Sequence, residues 1–285
     1  MTKILAAQPI VDSSLTILMN RCLALKKVNK VPFLKVVLVG SNPASVIYTA
    51  NKKKFCEKIG ARCEILKLSE DISIQEFQQQ IEKINLDSEV HGLIIQLPVP
   101  GVLKTLNLNK MVKKEKDVDG FHPENLFDLL KADLKPTSLL PCTPKGIRDL
   151  LHFYNIPIKG KHVVVIGRSM IVGKPMALLM SAENATVTLC NSYTENLSDI
   201  TKTADILVVA AGHQKLINNV HINPAKKTVV IDVGMNRDAD GKLCGDVDFN
   251  QVFPLVSAIT PVPGGVGPLT ILSLVQNLIT ACEAK

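Results

Sequence analysis

Tyr48 and Lys52 stand four residues apart in a stretch with helical patterning, so both side chains leave one face of the helix. A phenol beside an amine is equipment for moving protons. Lys53 and Lys54 adjoin Lys52, and spacing alone does not say which of the three is functional. Tyrosine is scarce, with three in the chain, and Tyr48 follows a strand-ending loop, where α/β proteins bind ligands. Gln96 closes another apolar run and is followed at once by Leu97-Pro98. Its uncharged amide either orients an amine such as Lys52 or merely satisfies a strand end. Asp117 and Asp119 flank Val118 ahead of Gly120. Two acids at that spacing invite a cation, but a third ligand is not evident, and no metal is expected. One of the two is expected to tie the turn through backbone N–H groups.

A second kind of chemistry is written in Gly167-Arg168-Ser169-Met170-Ile171-Val172-Gly173, which follows an aliphatic run and opens a helix. A glycine there permits a tight turn and close phosphate approach, and the helix start offers free N–H groups. The usual G-x-G-x-x-G is not met, because Ser169 stands for the second glycine and Gly173 comes six residues after Gly167. Alone, this is also compatible with an ordinary strand–helix turn; its place between two strands favours a dinucleotide site. The following strand ends Leu189-Cys190-Asn191-Ser192, with no carboxylate before Glu195. An acid would repel a ribose phosphate, whereas Ser192 can donate to one and Arg168 can neutralise it. NADP is therefore expected rather than NAD. The segment Thr260-Pro261-Val262-Pro263-Gly264-Gly265-Val266-Gly267-Pro268 is too rich in proline and glycine for a helix or a central strand. It is read as a fixed irregular backbone against a ligand, or as a rigid linker, or both.

The elements that must position these residues follow from apolar periodicity. A helix over 12–30 opens at Asp12-Ser13-Ser14, a strand runs over 35–40, and a helix from Asn42-Pro43 ends near Ile59 at Gly60. A strand over 63–68, a helix over 74–84 and a strand over 91–96 complete a βαβαβ unit with parallel strands. Residues 97 to about 144 break the rhythm and read as a rigid, proline-rich connection. It restarts with strands over 161–167, 185–190, 204–210 and 228–234, a further possible strand over 257–263, and a helix over 269–281. The fold class is α/β, in two domains split near residue 140.

Composition excludes several alternatives. The chain has 285 residues, 46% of them hydrophobic, 21% charged and 4% aromatic, with no tryptophan. An aliphatic core of that kind suits buried parallel strands and excludes disorder. The net charge of +7 comes from scattered basic residues. The runs Lys52-Lys53-Lys54 and Lys113-Lys114-Glu115-Lys116 lack the aromatic platforms expected of a single-strand binder and read as solvated faces, so nucleic acid is not expected. Seven cysteines without a C-x-x-C pair give neither a zinc site nor a disulfide framework. With no signal peptide and no run of 18 apolar residues, a reducing cytoplasm and no membrane are expected.

Taken together, Tyr48-x-x-x-Lys52, Gln96-Leu97-Pro98-x-Pro100, Lys116-Asp117-Val118-Asp119-Gly120, Pro141-Cys142-Thr143-Pro144, Gly167-Arg168-Ser169-x-x-Val172-Gly173-x-Pro175 and Thr260 to Pro268 resemble the bifunctional methylenetetrahydrofolate dehydrogenase/methenyltetrahydrofolate cyclohydrolase family. The motifs run in register from about Gly40 to Thr270. The resemblance implies a folate-binding catalytic domain at 1–138, an NADP-binding Rossmann-type domain at 139–267, and a helix over 268–285 packing back on the first. It also implies an active-site cleft between the two domains and a homodimer formed through the dinucleotide domains. Tyr48 would stack on the folate, Lys52 would be the catalytic amine, Gln96 would hold it, and Asp119 would grip the pterin's amino-pyrimidine edge. Ile95, Leu97 and Pro263, Gly264, Gly265, Val266 and Gly267 would line the folate site. Gly167, Arg168, Ser169, Val172, Gly173, Ser192 and Met235 would contact the cofactor. Relatives often carry His before the serine matched by Ser192, whereas this chain has Asn191.

The chemistry agrees with the residue types. Oxidising the methylene bridge is a hydride departure helped by a nitrogen lone pair, so positioning suffices. Adding water to the resulting cation needs a base or relay, which a lysine beside Gln96 in a partly dry cleft suits. Two rivals stand beside this reading. Short-chain dehydrogenases also use Tyr-x-x-x-Lys, but their glycine loop comes first, and here Gly167 trails Tyr48 by 119 residues. A non-catalytic NADP-binding sensor would have no need of the set Tyr48, Lys52, Gln96 and Asp119.

Overall fold

The computed structural model describes residues 1–132 and 134–285. Lys3–Ile4 (β1) and Gln8–Lys27 (α1) lead to Phe33–Val39 (β2), Pro43–Ile59 (α2), Arg62–Leu68 (β3), Ile74–Leu86 (α3) and Gly92–Ile95 (β4). Short helices follow at Leu108–Met111 (α4) and Pro123–Leu130 (α5), then the longer Cys142–Phe153 (α6). Alternation resumes with His162–Ile166 (β5), Gly173–Ala182 (α7), Thr186–Cys190 (β6), Leu197–Thr201 (α8), Ile206–Val209 (β7) and Val229–Asp232 (β8). Asn236–Arg237 (β9) and Leu243–Cys244 (β10) form an antiparallel ribbon before Phe249–Val252 (α9), Ala258–Ile259 (β11) and Val266–Glu283 (α10).

Two compact units result. One comprises Ser13–Asp128, Leu134–Cys142 and Ser273–Lys285, around a parallel sheet of order β3-β2-β4. The other comprises Met1–Asp12, Leu129–Asp133 and Thr143–Leu272, around a parallel sheet of order β1-β11-β8-β7-β5-β6. Central strands β7 and β8 are buried along their whole length and β5 from Val163 onward, as expected of aliphatic runs covered on both faces. The caps explain the helix bounds. The Asn42 side chain accepts the Ser45 N–H at 3.1 Å, with Pro43 at the first helical position. Gly60, at φ 87°, ends α2 in the left-handed conformation. Ser73 and Glu76 form a capping box at the start of α3.

Four features differ from the sequence expectation. Lys3–Ile4, assigned above to the domain 1–138, pair in parallel with Ala258 and Ile259 in the six-stranded sheet; a two-residue edge strand carries too short a pattern to read. Helix α1 starts at Gln8, one turn before the expected cap, because Ile10 and Val11 are buried and Pro9 is tolerated in a first turn. The connection from Leu97 contains α4 and α5, and α6 occupies a stretch to which the pattern assigned nothing. Its Ile147, Leu150 and Leu151 are fully buried. Finally, α10 takes in Val266, Gly267 and Pro268, since a first turn needs no N–H from proline. By length and composition α10 is apolar enough to cross a bilayer, but 61% of it is buried within the protein.

His91, just before β4, is buried and its Nδ1 has no hydrogen-bond partner. Burial first, then the charges of Lys285, Lys116 and Lys30, hold its pKa down to about 4. A depressed histidine pKa gives stability that is present above the ordinary value and lost as pH falls through the depressed one. At about 1.4 kcal/mol per tenfold in proton affinity, reduced for solvent screening, the loss is on the order of 1–2 kcal/mol. In urea unfolding, moving from neutral pH to about pH 4.5 should cost the wild type that much more than His91→Gln. Equal losses in the two proteins would contradict this.

Candidate active site

Burial decides among the three lysines of α2. Lys54 is exposed, Lys53 is partly exposed and pairs with Glu57 at 3.8 Å, and Lys52 is only 3% exposed. A buried lysine nitrogen must be held by polar groups. Its Nζ donates to Gln96 Oε1 at 3.1 Å and lies 4.7 Å from the centre of the Tyr48 ring. The Gln96 Nε2 is committed to the Leu97 carbonyl at 2.8 Å, so the amide has only its oxygen to offer the lysine. Tyr48, Lys52 and Gln96 are thus brought together as the sequence expects. Burial, followed by the negative charge of Asp119, pushes the Tyr48 phenol well above its ordinary pKa. The hydroxyl stays protonated at physiological pH.

Asp117 and Asp119 divide their work in this geometry. Asp117 is buried and accepts N–H groups from Gly120 at 3.1 Å and His122 at 2.6 Å, plus the Asn125 amide at 2.9 Å. Burial raises its pKa, and these donors oppose the rise. Gly120, at φ 79°, has no room for a side chain, since a Cβ would lie 2.4 Å from the Leu140 carbonyl carbon. Asp119 is partly exposed at the crest of this knotted turn. Asn277 of α10, buried, donates to Val118 O at 2.9 Å and Leu140 O at 2.8 Å and so braces the turn from behind. Sequence reading missed Asn125 and Asn277; an amide on an otherwise apolar helix face was the available signal. The Ile95 side chain lies in the hydrophobic core, so only its backbone can meet a ligand, whereas Leu97 is exposed.

In the other unit, the glycine loop is tight because three pieces of backbone meet. A Cβ on Gly173 would lie 1.9 Å from the Gly167 carbonyl oxygen, and one on Gly167 would lie 2.1 Å from Ala210 O. Gly167 also has φ 121°, a conformation side chains rarely adopt. Ser169 Oγ accepts the N–H groups of Val172 at 3.1 Å and Gly173 at 3.3 Å. The serine that replaces the second glycine therefore caps the turn into α7, which is why the irregular spacing works. This loop lies at the carboxyl end of β5, where the chain passes to β6 on one side and β7 on the other, the usual dinucleotide crevice. The Arg168 guanidinium lies 5.1 Å from the centre of the exposed Tyr193 ring, and Ser192 is exposed beside it. The cradle that a Cβ would fill and the carboxylate-free end of β6 fit a phosphorylated dinucleotide.

Pro263, Gly264, Gly265, Val266 and Gly267 line a recess of about 170 Å³ together with Asp232–Met235, Leu243 and Pro268. Met235 is 70% exposed there. Gly264 has φ 97° and its carbonyl accepts the Ala7 N–H at 2.9 Å, which pins the irregular backbone to the start of the chain. Among the described residues no group of three or more His, Cys, Asp or Glu is arranged to hold a metal.

Comparison with known proteins matches both units. Residues 5–119 match the catalytic domain of tetrahydrofolate dehydrogenase/cyclohydrolase, and residues 141–285 match its NAD(P)-binding domain. The bifunctional protein FolD of Brevibacillus brevis is 45% identical over 282 residues, covering 99% of this chain and 98% of that protein. The crystal structure of the bifunctional enzyme FolD from Campylobacter jejuni aligns with a TM-score of 0.94 at 38% identity, over 100% of this chain and 99% of that one. FolD of Trypanosoma brucei, complexed with NADP cofactor and inhibitor, gives 0.92 at 30% identity, over 99% and 98%. With both domain types matched in order along its length, this chain belongs to the tetrahydrofolate dehydrogenase/cyclohydrolase family.

Proposed function

We propose that this protein oxidises 5,10-methylenetetrahydrofolate to 5,10-methenyltetrahydrofolate with NADP and then hydrolyses the product to 10-formyltetrahydrofolate. The observation that carries the reading is the buried Lys52, held by an amide whose other end is already fixed. NADP, when bound, supplies the hydride acceptor. The chain's part in oxidation is to bind and orient: Tyr48 gives a flat face for the folate, and Asp119 accepts from the amino-pyrimidine edge. Ile95 backbone, Leu97 and Pro263–Gly267 complete the folate contacts. Gly167, Ser169, Val172 and Gly173 offer backbone approach to the phosphates, while Met235 offers a backbone contact.

Hydrolysis asks more. Water adds to the cationic carbon and loses one proton, a ring C–N bond then breaks as its nitrogen takes up a proton, and the second water proton leaves to solvent as the formyl C=O forms. Lys52 Nζ, acting as the free amine, is the group for that transfer: Gln96 Oε1 engages one of its hydrogens, and its lone pair takes the proton from the water and passes it to the ring nitrogen. The amide thereby fixes where the amine points.

One assay tests the whole reading. Methylenetetrahydrofolate is mixed with NADP, or with NAD, and the methenyl absorbance is followed. A rise and subsequent fall is expected, faster with NADP; no reduction of either nucleotide, with simple alcohols turned over instead, would overturn it. Arg168 and Ser192 are proposed to receive the ribose phosphate. Arg168→Ala should raise the KM for NADP by roughly tenfold or more, the size of one charge-assisted contact. The KM for NAD should barely move; equal shifts for both nucleotides would remove Arg168 from that role. A cytoplasmic homodimer is proposed as well. Free cysteines support the compartment, and the unpaired outer edge of β6, with Leu189 exposed, supports association through the dinucleotide unit.

A further inference from the structure

We infer that Asp246 is a positioning residue for the nicotinamide end of the cofactor site, acting through Ala211, Gly212 and Asn236. The inference rests on the NADP-dependent activity proposed above. Asp246 is 0% exposed. Its Oδ2 accepts the backbone N–H groups of Ala211 at 2.7 Å and Gly212 at 2.8 Å, and its Oδ1 accepts the Asn236 side-chain amide at 2.8 Å. Ala211 and Gly212 leave the carboxyl end of β7, while Asn236 follows Met235 beyond the carboxyl end of β8. One carboxylate therefore ties together the two loops that follow adjacent central strands.

The position of those loops gives the tie its meaning. In this strand order the loop after β5 takes the pyrophosphate and the end of β6 takes the adenosine ribose. The remaining half of a dinucleotide then falls over the ends of β7 and β8, where Val233, Gly234 and Met235 line the recess. Nothing in this corner has slack. A Cβ on Gly234 would lie 2.5 Å from Asp246 Oδ1, and one on Gly245 would lie 1.8 Å from Asp232 Oδ2. Asp232, also buried, accepts N–H groups from Gly234 at 2.9 Å, Asp246 at 3.0 Å and Val247 at 3.0 Å. Asp232 thus holds the backbone of Asp246 while Asp246 holds the loops. Among the described residues no Lys or Arg pairs with either carboxylate; their partners are backbone and amide donors. Burying charge in this way, where an apolar side chain would pack more simply, points to placement of loops.

The enzyme's second activity supplies the control, because hydrolysis consumes no nucleotide. In Asp246→Asn the amide oxygen still faces Ala211 and Gly212, but its NH2 meets the NH2 of Asn236. The KM for NADP is expected to rise roughly tenfold or more, with the folate KM and cyclohydrolase kcat/KM each within about twofold. The exchange Asp246→Asn/Asn236→Asp restores the donor–acceptor match and should bring the NADP KM back to within about threefold of wild type. An unchanged NADP KM in the single variant overturns the assignment. So does no recovery in the exchange, or a loss of cyclohydrolase in step with NADP binding. If Asp246→Asn does not fold, Asn236→Leu, which leaves both carboxylates in place, must show the same split; equal NADP affinity there overturns the inference. A wild-type protein that never reduces NADP refutes the proposed function instead, a result separable from all of these.

Discussion

Lys52→Met should lower cyclohydrolase turnover by on the order of 10²–10⁴-fold, the usual worth of a positioned acid–base group, while measurable dehydrogenase activity survives. The two activities part because they differ in proton traffic. Hydride departure from the methylene bridge moves no proton, so it depends on placement of folate against cofactor. Water addition cannot finish without a proton carrier, and Lys52 Nζ, fixed by Gln96 Oε1 at 3.1 Å, is the group in position. Methionine nearly matches the lysine stem in volume, so the packing of α2 should hold. The cost to the fold is confined to Gln96 Oε1 losing a donor, about 1–3 kcal/mol. Stopped-flow assays starting from methenyltetrahydrofolate, beside NADP reduction from the methylene compound, make the check. Full hydrolysis by Lys52→Met would dismiss the lysine from its role.

Gly173→Ala should have the opposite signature. A methyl group at this position would sit 1.9 Å from the Gly167 carbonyl oxygen and 2.4 Å from its carbon, distances no rotamer can relieve. The start of α7 must move away from the end of β5, which opens the cradle proposed for the pyrophosphate. A displacement of about 1 Å near reacting groups is worth roughly 10²-fold, so dehydrogenase kcat/KM for NADP should fall by at least that factor. Cyclohydrolase should persist, because Tyr48, Lys52, Gln96 and Asp119 lie in the other compact unit. Isothermal titration with NADP, alongside hydrolysis of methenyltetrahydrofolate, would read both halves. Wild-type affinity for NADP in Gly173→Ala would show that the loop is only a turn.

How much of this was legible depended on whether a signal was local. Helix α2 was readable from end to end, because Asn42, Pro43 and Gly60 announce its termini through their own backbone chemistry. The irregular glycine loop could be located, yet the reason for Ser169 could not, since its two N–H partners appear only once the turn has closed. The three consecutive lysines remained equivalent until burial separated them. Strand β1 has two residues, too few for periodicity, and is defined by a partner more than 250 positions away. Asp246 and Asn277 carry no motif at all. Their importance lies in which carbonyls and amides are left needing a partner after folding, and that is settled by tertiary packing rather than spacing.

The pairing of Lys3–Ile4 with Ala258–Ile259 bears on biogenesis. Helix α10 bears on it too, giving residues through Leu272 to one unit and those from Ser273 to the other. A nascent chain emerging from the ribosome cannot complete either sheet's packing until residues beyond 258 have been translated. Meanwhile the apolar faces made earlier wait uncovered, which exposes the growing polypeptide to misassembly and to capture by chaperones. Folding of this enzyme is thus weighted toward the end of synthesis, even though much of its Lys52 cluster is encoded within the first hundred codons.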